Sequence, residues 1–341
     1  MTSISLLVIN YRSASLAVEA IRTARAASSR PLQAVVVDNS GEPGEAELIR
    51  GVAELVIEAP RNLGYAGGIN AGRPACDGDV IVVSNPDVCF AEGAIDRLVE
   101  VDATVAGPAL FWDDAHRWIL PPAELQTRSE IIDRVLASRS RAWARRRDRR
   151  RFLGRVAFWS LDRPTAVHAL SGAVMAIRAS AFDAAGGFDD RFALYFEEND
   201  FIRRIRGDVM YVPGARCRHL YNQSAGGSAG AAAQYVQSEE LYLRKWGGAF
   251  AKSFEEADED SRIRPPAHGP TGELGLHDGD VVIEASPLSN FETAAGHLGS
   301  DVENVPDDVR DAYRGDILYL RAVDRRTGRV LHSWANARMT A

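Results

Sequence analysis

The densest chemical cluster in the sequence is FALYFEENDFIRRIR, residues 192–206, where Glu197, Glu198 and Asp200 fall within four positions. Acids at a helix start are favoured by the helix dipole, so a helix N-terminus alone would account for them. Phe192, Leu194, Tyr195 and Phe196, however, set the acids against an apolar wall, where desolvation raises a carboxyl toward the range of a useful base. Asp200 and Arg204 are spaced i, i+4, which predicts an ion pair and leaves a glutamate for proton transfer. Neighbouring side chains at a helix start point about 100° apart, so Glu197 and Glu198 have different jobs. A further carboxylate, Asp87 in SNPDV, follows an apolar run, where an unpaired charge is costly. It suits a divalent cation bridging a diphosphate, or the N-cap of a helix near Ala91. His219 and Ser224 lie in RHLYNQSAGGS; a lone histidine is more often structural, but beside a diphosphate-bound metal it serves as a ligand or a phosphate donor.

These residues need a frame to hold them. Short apolar runs alternate with helical patterns from the start: ISLLVIN, LQAVVVDNS, AELVIEAP and DVIVVSNPDV, separated by helices around residues 15–28, 44–51 and from about 66. The alternation predicts an α/β fold, a Rossmann-like, mostly parallel sheet with helices on both faces. Ligands of such sheets sit at the carboxyl ends of the strands. Those ends carry Asn10 and Tyr11, Asp38 to Ser40, and Asn85 to Asp87, all polar. The segment after strand one is NYRSAS, without the glycines of a dinucleotide-binding turn. Glycine is concentrated instead in NLGYAGGINAG, residues 62–72, which reads either as bare backbone facing a sugar or anion, or as a loop into a helix capped by Asn62.

With 341 residues and 46% hydrophobic content the chain can bury a substantial core, and a net charge of −7 argues against a general polyanion binder. Three cysteines without metal-ligand or CxxC spacing read as reduced thiols of a cytoplasmic protein. Ile4 to Ile9 lacks a basic flank and reads as a strand, not a signal peptide. The organisation expected is a domain over 1–252 with a helical excursion at 127–161, an acidic then Pro/Gly-rich linker over 253–272, and a small β appendage over 273–341.

Taken in order, VINY, VVVDNS, NLGYAGGINAG, SNPDV, SGAVMAIR, GGFDDRFALYFEENDF and the H…S pair resemble the inverting family 2 glycosyltransferases of GT-A fold, in their bacterial rhamnosyltransferase-like branch. The match spans roughly residues 3–250 and leaves 273–341 uncovered. The resemblance implies a nucleotide-sugar donor, dTDP-L-rhamnose or a UDP-sugar, with donor contacts from Asn10, Tyr11, Asp38, Asn39, Asn62, Gly64, Tyr65, Ala66, Gly67, Asn70 and Asn85. It implies Mg²⁺ or Mn²⁺ held by Asp87 and His219, with Ser224 at the diphosphate. Asn85 stands where the family usually has a first acid, so a single acid is implied there. Glu198 takes the position of the base, with Glu197, Asp200 and Arg204 in support. Related enzymes act on glycan or polyprenyl-diphosphate-linked acceptors, which implies surface-polysaccharide synthesis at the inner face of the cell membrane. The alternative of another class is a non-catalytic sugar-nucleotide or glycan-binding protein, with 273–341 as recognition module; for 273–341 glycan binding, contact in a homodimer and acceptor positioning are all open. A nucleotidyltransferase would need a basic phosphate cradle near strand one, which the sequence lacks.

Residues 139–155, RSRAWARRRDRRRFLGR, carry nine arginines against one aspartate, with aromatics interleaved. No nucleic-acid-binding motif accompanies them, so no nucleic-acid partner is expected. A basic amphipathic helix fits an anionic membrane surface, or else a solvated helix pairing with the protein's own acids, such as those of 255–260.

Overall fold

The structure, a computed structural model, describes residues 2–220, 229–247, 278–300, 305–313, 315 and 317–337. Ser224, the acids of 255–260 and the linker at 253–272 lie outside the described residues. The chain forms two compact units: the first comprises residues 1–110, 123–125 and 162–246, the second 111–122, 126–161 and 247–341.

The elements of the first unit are β1 (Ile4–Asn10), α1 (Ala14–Ala26), β2 (Leu32–Asp38), α2 (Pro43–Arg50), β3 (Leu55–Glu58), α3 (Gly64–Gly72), β4 (Val80–Ser84), β5 (Val88–Phe90), α4 (Ala94–Glu100) and β6 (Val105–Phe111). The chain then makes α5 (Arg128–Arg139) and α6 (Arg141–Trp159) in the second unit. It returns with β7 (Thr165–Ala166), β8 (Val174–Arg178), α7 (Ala179–Ala184), α8 (Glu197–Arg204), β9 (Val209–His219) and α9 (Ala229–Trp246). The sheet order is β3-β2-β1-β4-β8-β6-β9-β5, with β7 beside β9. The α/β expectation holds: β3, β2, β1 and β4 are parallel and in regular register. Both faces of β1 and β4 are buried, which is why these strands are continuous apolar runs. β8 runs antiparallel to β4 and to β6, and β5 is antiparallel to β9.

In the second unit β10 (Val281–Ser286), β11 (Ala295–Leu298), α10 (Asp307–Ala312), β12 (Ile317–Asp324) and β13 (Val330–Ala337) follow, and the strands form an antiparallel sheet ordered β11-β10-β12-β13. The turn between β12 and β13, DRRTGR at residues 324–329, is closed by Asp324, whose Oδ1 accepts from the Thr327 amide at 2.8 Å, with Gly328 at φ +68°. The 127–161 segment, expected as an excursion of the N-terminal domain, packs in this unit with the sheet. Glu284, fully buried on β10, accepts from Arg155 of α6 at 2.8 Å and from Arg321 of β12 at 2.7 Å. Arg321 also donates twice to Asp148 of α6, at 2.8 and 2.9 Å. Trp159 lies so close to Gly296 of β11 that a Cβ there would sit 2.2 Å from the ring.

Candidate active site

The polar strand ends of β1 and β2 form a closed bracket. Asn10 and Asp38 are paired in register, and the Asn10 amide donates to Asp38 at 2.9 Å and to Glu45 at 3.0 Å. Asp38 also accepts from the Ser40 amide at 3.0 Å and from the Ser40 hydroxyl at 2.9 Å. Asn10 and Asp38 are both buried, so their carboxylate and amide shape the strand ends and leave little surface for a ligand. Tyr11, the next residue, is exposed beside them. Asn39 donates to the Gly64 carbonyl at 3.0 Å and ties this bracket to α3.

The glycine segment is a helix, and its glycines serve packing. A Cβ at Gly68 would sit 2.8 Å from Ile9, and one at Gly72 would sit 2.4 Å from Leu7 and 2.9 Å from Val37. Only hydrogen at these positions lets α3 lie against β1 and β2. Gly64, at φ +72°, turns the chain so closely past Ala193 that a Cβ would meet its carbonyl at 2.6 Å. The Asn62 side chain accepts from the Gly64 amide at 2.9 Å. Of the two readings, these contacts favour the loop into a helix, which runs over Gly64–Gly72. Ala66 is fully buried, and Asn70 clips Phe188 through both amide atoms, at 2.8 and 2.9 Å. Asn62 is exposed, and Gly64, Tyr65, Gly67 and Asn85 are half-buried, so they keep an open side.

Asp87 lies between β4 and β5, and α4 begins later at Ala94 with Gly93 as its cap, so Asp87 does not cap that helix. The β5–β9 ladder pairs Val88 with His219 and brings the Asp87 carboxylate to 3.4 Å from His219 Nε2. Ligands at adjacent positions of a cation with bonds of about 2.0–2.2 Å lie roughly 2.9–3.5 Å apart, so this pair fits two ligands of one cation. Among the described residues no group of three His, Cys, Asp or Glu side chains forms a fuller site.

The acids open α8. Tyr195 and Phe196, with φ +69° and +66°, hold two successive non-glycine residues in the left-handed region immediately before Glu197. Such strain persists only where surroundings enforce it. Phe192, Phe196 and Tyr242 of α9 do so by packing as one cluster. Asp200 is fully buried and held from several sides: Arg204 Nε at 2.9 Å, Trp246 Nε1 at 2.9 Å and Lys245 Nζ at 2.7 Å. Arg204 forms the i, i+4 pair and also donates to the Gly187 carbonyl at 2.8 Å. Lys245 and Trp246 had no signal in the sequence, because nothing local ties them to Asp200.

That leaves the two glutamates. Glu197 is buried, and its carboxyl is held well above 4.5 by burial first and by Glu198 second. Glu198 is half-buried and sits over Gly172, where a Cβ would touch its side chain at 3.4 Å. Burial raises its carboxyl to about 7 against the lowering effect of helix-start amides. Tyr65 donates to the Gly172 carbonyl at 2.8 Å. Its phenol is pushed well above 10 by burial, then by Glu197, Glu198 and Asp87, which places α3, α8 and the β4–β5 corner around one spot. The arrangement offers a carboxylate that accepts a proton near neutrality and, acting on the same Tyr65 phenol, the aspartate of an acid–histidine pair suited to a cation.

Residues 5–117 match the family described as Glycosyl transferase family 2. Relatives from two strains of Mycobacterium tuberculosis, CDC 1551 / Oshkosh and ATCC 25618 / H37Rv, are N-acetylglucosaminyl-diphospho-decaprenol L-rhamnosyltransferases. Each is 29% identical over 230 residues, covering 59% of this chain and 70% of theirs. Among solved structures, GalNAc-T7 with UDP, GalNAc and Mn²⁺ has a TM-score of 0.49 at 16% identity, over 74% of this chain and half, 50%, of its own. The mannosyltransferase PcManGT of Pyrobaculum calidifontis, with GDP-Man and Mn²⁺, has a TM-score of 0.45 at 16% identity, over 72% and 64%. The matched segment, residues 5–117, and the rhamnosyltransferase relatives support a glycosyltransferase enzyme.

Proposed function

We propose that the protein is an inverting glycosyltransferase that moves a sugar from a nucleotide-sugar to a lipid-diphosphate-linked acceptor. The observation that carries it is Glu198: half-buried over Gly172, shifted to about 7, and grouped by Tyr65 with the Asp87–His219 pair. The acceptor hydroxyl oxygen attacks the anomeric carbon, its proton passes to the Glu198 carboxylate, and the bond to the diphosphate oxygen breaks on the opposite face. The nucleoside diphosphate leaves. Asp87 and His219 would hold Mg²⁺ or Mn²⁺, which supplies charge neutralisation for the diphosphate when bound. Glu197, its carboxyl raised by burial, precedes the base at the start of α8, while the Asp200–Arg204–Lys245–Trp246 lattice fixes the helix.

The named function of the mycobacterial relatives supports transfer of L-rhamnose to an N-acetylglucosaminyl-diphospho-polyprenol acceptor, and the resemblance of the sequence motifs implies dTDP-L-rhamnose as the donor. Such an acceptor is confined to a bilayer, so the protein works at the cytoplasmic face of a membrane. Purified protein supplied with dTDP-L-rhamnose, Mg²⁺ or Mn²⁺ and a short-chain acceptor of this class should form a disaccharide lipid whose new linkage is inverted by NMR. A retained configuration would refute the Glu198 mechanism; turnover with UDP-sugars but not with dTDP-L-rhamnose would refute the donor.

A further inference from the structure

The arginines of residues 139–155 divide into two sets. Arg147 and Arg150 pair with Asp133 of α5, and Arg147 also pairs with Glu292. Arg155 is buried against Glu284, while Arg149 and Arg151 reach the carbonyls of Thr327 and Glu292. These five stitch the second unit together, and the reading of a helix that pairs with the protein's own acids describes Arg147, Arg150 and Arg155 among them. The other four, Arg139, Arg141, Arg145 and Arg146, are exposed and have no carboxylate partner among the described residues. Arg146 lies over the Trp143 ring, 5.8 Å from its centroid.

The four flank the α5–α6 turn, and the first turn of α6 contains no acid. A helix N-terminus already carries positive potential, which acids ordinarily relieve. Here arginine adds to it. The same hairpin exposes Ile132 and Leu136, at 49% and 39%, one turn apart on α5. Aliphatic side chains beside an unneutralised basic cluster match the interface of an anionic bilayer, where guanidinium groups meet headgroup phosphates and apolar side chains enter the acyl boundary. A nucleic acid would use the arginines and leave Ile132 and Leu136 in water. No helix among the described residues is long and apolar enough to cross a membrane.

We propose that the α5–α6 hairpin docks on an anionic phospholipid surface through Arg139, Arg141, Arg145 and Arg146, with Ile132 and Leu136 inserted beside them. The surface is argued from the second unit alone; the lipid-linked acceptor proposed above only gives it a use. The test is sedimentation of the full chain at low salt with phosphatidylcholine vesicles, with and without phosphatidylglycerol. Wild type should bind only the anionic vesicles and release as salt rises. Each surface arginine contributes roughly fivefold, so changing all four to Gln should lower partition by about 10²–10³. The pair Ile132→Ser and Leu136→Ser should also weaken vesicle binding while leaving retention on an RNA homopolymer unchanged. Unaltered melting curves would show that both variants fold. Both should glycosylate a water-soluble acceptor as wild type does, which separates this proposal from the transferase reading. Absence of phosphatidylglycerol-dependent binding, indifference to the arginine changes, indifference to the serine changes, or displacement of vesicles by RNA would overturn it.

Discussion

Replacing Glu198 with glutamine should make the protein inactive and, above neutral pH, more stable. The carboxyl is moved from 4.5 to about 7 chiefly by burial. A displacement of that size corresponds to a cost on the order of 3 kcal/mol for carrying the charge in the folded state. The sign follows from the direction: a raised carboxyl binds its proton more tightly when folded. Its favourable contribution is therefore complete below 4.5, is lost as pH rises through about 7, and is absent above it. Glutamine carries no charge and escapes the loss. At pH 8–9 Glu198→Gln should melt higher than wild type, by up to about 2–4 °C per kcal/mol recovered for a unit of this size, and at pH 4 the two should coincide. Transfer should meanwhile fall by ~10²–10⁴ through loss of the proton acceptor. In wild type the ionised fraction rises from roughly a tenth at pH 6 to nine-tenths at pH 8 for a group near 7, so kcat/KM should climb about tenfold over that range. Calorimetry across pH and initial rates with a short-chain acceptor check both halves. A flat pH–rate profile with a variant that melts lower at pH 8 would refute the assignment of Glu198 as a buried base.

Glu197→Gln changes a buried acid that does not take the acceptor proton, so transfer should stay within about tenfold; a larger rate loss than Glu198→Gln would move the base one residue back. Asp87→Ala should abolish the Mn²⁺-dependent part of nucleotide-sugar binding, read by titration calorimetry with and without the ion, while the fold stays intact. Gly72→Ala forces a Cβ to 2.4 Å from Leu7 and should destabilise by about 1–3 kcal/mol in urea, with or without donor present. Glu284→Gln leaves Arg155 buried without an anion and Arg321 with Asp148 alone, and should cost about 3–5 kcal/mol in the stability of the second unit.

The sequence made the α/β frame legible because β1, β2 and β4 are buried on both faces and so had to be unbroken apolar runs. It showed less of β8 and β9, whose antiparallel pairing depends on partners far along the chain. The acid cluster was readable for a local reason: Asp200 and Arg204 sit one helical turn apart. Lys245 and Trp246 complete that lattice from α9, and no spacing rule reaches so far. Tyr195 and Phe196 were read as an apolar wall; that they also hold left-handed backbone, and so aim the glutamates, has no compositional mark.

The glycines of residues 62–72 show most clearly where sequence reasoning stops. A run of glycine and asparagine is compatible with a loop that admits a ligand and with a helix that admits another backbone, since both need the absence of Cβ. What separates them is the identity of the nearest atom, and here that atom belongs to Leu7, Ile9 or Val37. Pressing α3 onto the sheet has a consequence for the site. It sets Tyr65 deep enough to reach the Gly172 carbonyl, under the Glu198 side chain, with Asp87 close enough to act on its phenol. The glycines thus serve the chemistry by position: they bring the one aromatic hydroxyl of the segment to the point where the proposed base and the proposed cation ligands converge.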